Sequence, residues 1–567
     1  MDIKSIRSKL GLSQVDCARY LGISRRMLQY LESEDSDKKS PKYQIIVDKL
    51  LRFGKSAQGM SFQTSVLLNQ DLLLLYKKVS QYKKRFCYEK VLDYCLSKEA
   101  GRVCILYGLR RTGKTTILFQ ILGDVDISKS AYIKVKESDT MGDLIKDLNQ
   151  LRSIGIQYVF IDEVTLLDDF IGSAASLSDI YAMLGMKIVL SGTDSLGFAL
   201  ATNDELYDRA ILIHTSYIPF KEFSYLLNID DIDAYIEYGG TLRVENMGYD
   251  DPDYRNDEVS FRDDESARKY IDSAIARNIQ RSLRNYRFGE RFVHLKTLYE
   301  KGELTNVINR VIEDTNHDFL LSVLNKRFKS HDLGSAKQML LHHRESDVQT
   351  ALYDIDEESV IDRLKSLLDI KETNETQVQL DEQTLKQIKT YLFMLDLIYE
   401  IDVRFDDGSV KKRVVFTQPG MRYSLSKALV HSLLDDPTFN ELSEKAKNII
   451  IEKILEDVKG RMLEDIVLLD ATKSTNYKKV FKFLSLQGGE VDMVCYDTNE
   501  DSCALFEIKH SKAMAPEQAR YLSDERMNDL ISARFGKIIS RIVLYRGPSE
   551  QKGGVSYQNV ESYLKGL

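Results

Sequence analysis

The sequence predicts a multidomain α/β chain: a small helical domain, a central parallel-sheet domain, a mostly helical middle and a second α/β domain. Three observations point there. The chain has 567 residues, several times the length of one domain. Near position 100 an apolar run, Val103-Cys-Ile-Leu-Tyr107, enters a glycine-bearing loop and is followed by a helical apolar pattern from Ile117. That strand–loop–helix order belongs to parallel sheets. In the last third, strand-like segments at 490–496, 503–509 and 539–545 alternate with helical ones.

The central loop reads Gly108-Leu-Arg-Arg-Thr-Gly113-Lys114-Thr115. Its glycines let backbone N–H groups curl round an anion, and the following helix N-terminus adds a favourable dipole. In such a phosphate loop Lys114 reaches the β- and γ-phosphates and Thr115 holds Mg²⁺ through its hydroxyl. Arg111, Thr112 and Thr116 complete the ATP-binding stretch with Gly108 and Gly113. A second apolar strand, Gln157-Tyr-Val-Phe-Ile-Asp162-Glu163, ends in two acids. Asp162 suits the Mg²⁺ shell, and Glu163 suits the residue that orients and polarises an attacking water. A third strand, Lys187–Leu190, runs into Ser191-Gly-Thr193-Asp194-Ser195, where Thr193 is expected beside the γ-phosphate. In this order the three predict an ATPase core that hydrolyses ATP with Mg²⁺.

Composition sets limits. Hydrophobic residues make up 43%, enough for several cores, and the formal charge is −8. Any DNA contact therefore has to come from local basic patches. The cysteines, Cys17, Cys87, Cys95, Cys104, Cys495 and Cys503, lack metal-binding spacing. They predict a reducing, cytoplasmic setting without structural zinc. The N-terminus does not read as a signal peptide, and no apolar run is long enough to predict a membrane span.

Taken in order, Ile3, Ile6 and Leu10 make one helical stripe. Ser13-Gln14 begins a second helix carrying Val15, Ala18 and Leu21. Gly22-Ile23-Ser24 is a turn, and Ser24 caps a third helix with Met27, Leu28 and Leu31. Leu12-Ser-Gln14, Ala18, Leu21-Gly-Ile-Ser24 and Glu32 resemble the Cro/λ-repressor family of helix-turn-helix domains. The resemblance implies a DNA-binding domain over 1–53. Gln14 would meet phosphate, and Ser24, Arg25, Arg26 and Gln29 would lie at the major groove, where Arg suits guanine and Gln adenine. A palindromic site would require two chains, so a homo-oligomer is expected. A helical docking module without DNA is the alternative. Residues 54–70 read as a linker and Leu67–Lys98 as helical. The cluster Lys77, Lys78, Lys83, Lys84 and Arg85 reads as a solvated face, with a track for DNA as the alternative.

The ATPase is expected over 71–227. Its loop, Ile161-Asp-Glu163, Leu190-Ser-Gly-Thr193, Arg209 and Pro219-Phe-Lys-Glu-Phe223 together resemble a family of prokaryotic AAA-type ATPases near the signal-transducing NTPases. The resemblance implies that Arg209 approaches a γ-phosphate, in its own subunit or a neighbour's. The family's Gly-Arg pair is Asp208-Arg209 here, and its Gly-Gly-Pro continuation is Gly239-Gly240-Thr241. Residues 228–423 are expected to form a helical lid and a winged-helix-like module: Met247–Asp264 a loop, Glu265–Asn285 and Phe292–Arg344 helices, Gln377–Val403 with Val414–Phe416 the winged helix. Its surface is not markedly basic, which favours packing over DNA contact.

Residues 424–567 hold the second chemical region. Helical Asn448–Leu469 bears Glu464. The strand from Glu490 carries Asp492, and the next carries Glu507-Ile-Lys509, with Glu507 and Lys509 on one face. An acid followed by Glu-x-Lys on the next strand resembles the PD-(D/E)XK nucleases, a restriction-endonuclease-like fold. The resemblance implies that Asp492, Glu507 and the Ile508 carbonyl hold Mg²⁺, that Lys509 handles the water, and that Glu464 is an additional acid. The whole chain then reads as an ATP-gated, Mg²⁺-dependent nuclease acting on duplex DNA, an architecture suggestive of defence against foreign DNA. The alternative is an ATP-dependent switch or transcriptional regulator whose nuclease-like fold is an inactive scaffold. A third reading is a protein-interaction ATPase without DNA.

Overall fold

The computed structural model describes residues 2–10, 12–33, 35–54, 61–193, 197–198, 206, 208–244, 247–248, 261, 263–285, 292–329, 366, 381–435, 437 and 443–567. Asp194 and Ser195 of the polar strand end, most of the Met247–Asp264 loop, the stretch 330–344 and residues 377–380 lie outside them. The chain forms two compact units. The first contains Met1–Ser216 and Arg277–Val293; the second contains Tyr217–Gly248, Pro252–Ala276 and His294–Leu567.

In the first unit, α1 (Ile3–Lys9), α2 (Gln14–Leu21), α3 (Arg25–Glu32) and α4 (Pro41–Gly54) follow the apolar stripes. Side chains of Asp2, Ser13 and Ser24 accept from the backbone N–H of Ser5, Asp16 and Met27, satisfying donors each helix start leaves open. Gly22 ends α2 at φ +68°, the left-handed region glycine tolerates best. Ile3, Ile6, Ala18, Leu21, Leu28 and Leu31 are buried.

The expected linker needs correcting: it contains a strand, β1 (Ser65–Leu68). The backbone N–H groups of Gln63 and Thr64 each donate to Asp147 at 2.8 Å, and Thr64 Oγ1 adds a third bond at 2.7 Å. A fully buried carboxylate 83 or 84 residues away thus pins this polar stretch. Leu67–Lys98 is likewise not all helix. It holds the end of β1, α5 (Gln70–Val79) and α6 (Tyr88–Leu96).

The sheet continues with β2 (Val103–Tyr107), β3 (Ser130–Lys134), β4 (Tyr158–Asp162), β5 (Lys187–Gly192) and β6 (Ala210–His214), in the order β1-β3-β4-β5-β2-β6. All neighbours are parallel except β1 with β3. Helix α7 (Lys114–Ile121) follows β2, and α8 (Met141–Ser153) follows β3. One continuous apolar core runs from Ile3, Leu28 and Leu50 through Leu72 and Tyr88 to Ile117, Leu118 and Val189.

In the second unit a ribbon, β7 (Arg243–Val244) and β8 (Met247–Gly248), accompanies an eight-stranded sheet. Its strands are β9 (Ile398–Phe405), β10 (Val410–Phe416), β11 (Lys479–Leu484), β12 (Glu490–Asp497), β13 (Ser502–Ile508), β14 (Lys537–Tyr545), β15 (Glu550–Lys552) and β16 (Val555–Asn559). They lie in the order β10-β9-β11-β12-β13-β14-β16-β15. The winged-helix expectation and the boundary at 424 are corrected here. The β9–β10 hairpin follows the helix Glu382–Met394 as expected, but β9 pairs in parallel with β11 and so belongs to the C-terminal sheet. The long helix Glu444–Lys473 packs on β9, β11 and β13. Among the described residues no helix is long and apolar enough to cross a membrane.

Candidate functional site

The nucleotide-site residues gather at the C-terminal edge of the first sheet. β2 delivers the chain into the loop, and β5 lies between β2 and β4, so Thr193 falls between the loop and Asp162-Glu163. Gly108 (φ +146°) is required: a Cβ there would stand 2.6 Å from Thr215 Oγ1 and 2.8 Å from the Ser216 nitrogen. Ser216 Oγ accepts from the Leu109 N–H at 2.9 Å. Arg111 and Gly113 have positive φ, +63° and +84°, which turns the loop into α7. Thr112 is buried; its hydroxyl donates to the Leu109 carbonyl at 2.9 Å and lies 2.8 Å from Thr215 Oγ1. Thr116 is buried one position beyond Thr115.

Lys114 is buried at the base of the loop and donates to the carbonyls of Gly108 (2.8 Å) and Leu109 (2.7 Å). Burial pulls its pKa down to about 8, against the opposing pull of Glu163 and Asp162. Thr115 Oγ1 donates to Asp162 at 2.9 Å. Tyr132 (2.8 Å), Lys134 (3.1 Å) and Ser191 also donate to this carboxylate. Burial works to raise the Asp162 pKa, but Lys134 and the hydroxyl donors outweigh it and hold the group below the ordinary carboxylate range. The Thr115 hydroxyl and the ionised Asp162 are hard oxygen donors side by side, so the residues fit Mg²⁺. Glu163 sits just past β4 at φ +59°, with Thr193 Oγ1 3.4 Å from its carboxylate.

The sequence reading missed three contributors. Arg85 is buried (3% exposed) rather than on a solvated face, and its guanidinium donates to the carbonyls of Thr112 (2.5 Å) and Thr215 (3.1 Å). Lys134 ends β3, a strand not anticipated. Asn278 donates to the Thr193 carbonyl at 3.1 Å. Arg209 is a correction in the other direction. It precedes β6, where Val103 pairs with Ala210 and Tyr107 with His214. It therefore lies at the opposite edge from the loop, a strand length of about 15 Å away. It pairs with Asp179 at 3.2 Å, and the γ-phosphate position of its own subunit is out of reach.

On the helical domain, Ser24, Arg25, Arg26 and Gln29 are exposed at the start and along one side of α3. Gln14 is half-buried, donating to Glu32 at 2.9 Å, and Glu32 also receives Arg7 at 2.5 Å. The α2–α3 pair is thus braced by polar contacts while the α3 cations face outward.

The acids of the second unit do come together. Lys509 Nζ donates to Glu507 at 2.6 Å and to Asp492 at 3.2 Å, and the Ile508 N–H donates to Asp492 at 3.0 Å. Glu464 faces them from the helix Glu444–Lys473, held by Arg461 and by Arg413 at 3.4 Å. Burial, and Asp492 beside it, push Glu507 above the ordinary carboxylate range; its Oε1 is buried without a hydrogen-bond partner. The residue the sequence reading missed is Lys482, whose ammonium lies among Glu464, Glu490 and Asp492. Both Asp492 oxygens already serve protein donors, and among the described residues no three His, Cys, Asp or Glu side chains are grouped to hold a metal ion. As arranged, the cluster does not fit Mg²⁺. His510 bonds Asp233 at 2.7 Å and Gln518 caps its own turn, so neither joins it.

A mostly parallel sheet with a phosphate loop, a strand-end Asp-Glu pair and an intervening strand that ends at polar Ser191 and Thr193 defines a P-loop nucleoside-triphosphatase core. Residues 100–224 match the AAA domain family, so the chain carries an AAA-type ATPase domain there. An uncharacterised protein of Methanocaldococcus jannaschii, MJ1544, is 25% identical over 199 residues, 33% of this chain. The match spans 44% of that relative's length. Among solved structures, the Aeropyrum pernix ORC1 protein in complex with DNA is 14% identical, covering 64% of this chain and 96% of that one at a TM-score of 0.23. A katanin structure concerned with self-assembly is 15% identical, covering 43% and 88% at 0.20. C. elegans PCH-2 is 12% identical, covering 41% and 64% at 0.19.

Proposed function

We propose that the protein is an ATP-hydrolysing switch that binds duplex DNA through its N-terminal helices. The observation that carries the ATPase half is the convergence of Lys114, Thr115, Asp162, Glu163 and Thr193 on one sheet edge. Lys114 leaves the loop carbonyls for the phosphate oxygens. Thr115 and Asp162 would hold Mg²⁺, which would offset phosphate charge. Glu163 orients the water, and Thr193 beside it positions Glu163. The DNA half rests on the outward side of α3, where Ser24, Arg25, Arg26 and Gln29 are available to phosphates and base edges. Arg209, out of range of its own site, is assigned to a neighbouring copy in a homo-oligomer.

ATP turnover and binding test the first half. Glu163→Gln should lower kcat by about 10²–10⁴-fold while ATP stays bound, the range for loss of a positioned base. Lys114→Ala should abolish turnover; normal turnover in that variant would end this reading.

The competing reading is the nuclease: the meeting of Asp492, Glu507 and Lys509 speaks for it, and the cations already on these acids speak against it. Mg²⁺- or Mn²⁺-dependent cleavage of plasmid DNA, lost in Lys509→Ala, would support it. No cleavage by the wild type with either ion, with and without ATP, would leave the switch.

A further inference from the structure

The carboxylates of the second unit already have their cations. Lys482, with 3% of its side chain exposed, puts Nζ 3.2 Å from Glu464, 3.1 Å from Glu490 and 3.0 Å from Asp492. An ammonium is a compact point charge with three donors, and here each donor has one carboxylate. Lys509 takes the second Asp492 oxygen together with the Ile508 N–H, and also binds Glu507. Arg413 and Arg461 also hold Glu464, and Arg413 is shared with Asp465, which Arg422 holds at 3.1 Å, so five cations (Lys482, Lys509, Arg413, Arg461, Arg422) face five carboxyl groups (Glu464, Asp465, Glu490, Asp492, Glu507).

The backbone is shaped for this arrangement. Along β11 the pairing steps from Phe481↔Val494 to Phe483↔Val491, so β12 carries one extra residue and both Asp492 and Met493 oppose Lys482. Such a bulge re-aims a side chain, and here it brings the Asp492 carboxylate to the ammonium. A divalent ion bound by Asp492 and Glu464 would meet the buried ammonium at contact distance, where like charges repel strongly. Glu507 Oε1, buried without a hydrogen-bond partner, is by itself a single ligand, too few to hold a hard cation tightly.

We propose that Lys482 is the resident cation of this cluster, an ammonium in the place of a divalent ion, so that the C-terminal domain is a metal-independent ionic core and not a metal-dependent nuclease. The proposal concerns the second unit alone and stands or falls apart from the ATPase reading.

Mn²⁺ binding to the nucleotide-free full chain, read by electron paramagnetic resonance, tests it. Thr115→Ala serves as the background to weaken the other hard-oxygen site. In that background Mn²⁺ binding should be the same with and without Asp492→Asn. Adding Lys482→Met should create a site at least tenfold tighter, which Asp492→Asn then removes. A tightly bound Mn²⁺ in the Thr115→Ala chain that disappears with Asp492→Asn would overturn the proposal. So would a folded Lys482→Met chain that gains no Mn²⁺. Should Lys482→Met fail to fold, the first comparison still decides. Loss of ATP turnover, by contrast, would move neither result.

Discussion

Arg85 supports the phosphate loop from below, and its loss should register in nucleotide binding before it registers in the fold. Its guanidinium bridges the carbonyl of Thr112, inside the loop, and that of Thr215, beyond β6. Removing it leaves two acceptors in a buried setting, and a hydrogen bond to a charged group contributes about 1.5–3 kcal/mol. Arg85→Ala should therefore raise the KM for ATP about ten- to a hundredfold, with a smaller change in kcat. Arg85→Lys, able to reach one carbonyl, should recover part of it. An unchanged KM alongside a lowered Tm would make Arg85 structural only. Lys114 was legible in the sequence because its task is set by immediate neighbours in the loop. Arg85 was not, because within Lys83-Lys84-Arg85 it has the same local signature as a solvated charge, and one of its partners lies 130 residues away. Lys482 escaped notice for a related reason. It alternates correctly between Phe481 and Phe483, and only the bulge on the neighbouring strand shows what it faces.

At the scale of elements, the helix Glu444–Lys473 contributes more than Glu464. Its Asp470 is buried, accepts from the Tyr217 hydroxyl and, at 3.1 Å, from the Phe220 N–H. Burial pushes its pKa up to about 7, against both hydrogen bonds. The sign follows from linkage. The folded state binds this proton more tightly than the unfolded state, so stability is full below the ordinary value of 3.8 and falls as pH rises towards 7. The slope is at most about 1.4 kcal/mol per pH unit from this group. Asp470→Asn should flatten the decline in Tm of the second unit between about pH 5 and 7, and an unchanged profile would mean that Asp470 ionises freely. The elements themselves were legible wherever their pattern was local: α1 to α3, β2, β4, β12 and β13 follow their apolar periods. What failed was partnership. A hairpin after a helix reads the same whether it ends a winged helix or, as β9 and β10 do, joins a sheet whose next strand begins at Lys479. Polar Gln63-Thr64 reads as linker because the side chain that satisfies its backbone, Asp147, belongs to α8, 83 or 84 residues away.

At the scale of the molecule, the N-terminal helices do not hang from the ATPase by a tether. Within the first unit α2 docks on α5: Lys77 pairs with Asp16 at 2.8 Å, Tyr20 donates to Asn69 at 3.3 Å, and the Arg19 guanidinium lies 4.6 Å from the Tyr76 ring centre. Tyr76 in turn packs on Gly123 at the end of α7, where a Cβ would stand 2.2 Å from its ring. The helix that begins at Lys114 and the helix that carries Arg25 and Arg26 thus share one apolar core. Two outcomes follow. Arg25→Ala with Arg26→Ala should weaken duplex binding and flatten its salt dependence by about one unit of slope per lost phosphate contact, leaving ATP turnover intact. Further, a ligand that binds only the folded unit stabilises everything that unfolds with it. ATP with Mg²⁺ at a hundred times its Kd supplies about 2.7 kcal/mol, a hundredfold slowing of exchange through that opening. In hydrogen exchange on the Glu163→Gln chain, core amides of α2 and α3 should slow by the same factor as those of β2 and β4, because one core cannot open at one end alone without exposing Leu72 and Tyr88. Slowing confined to the sheet would show that the helical domain opens independently of the nucleotide site.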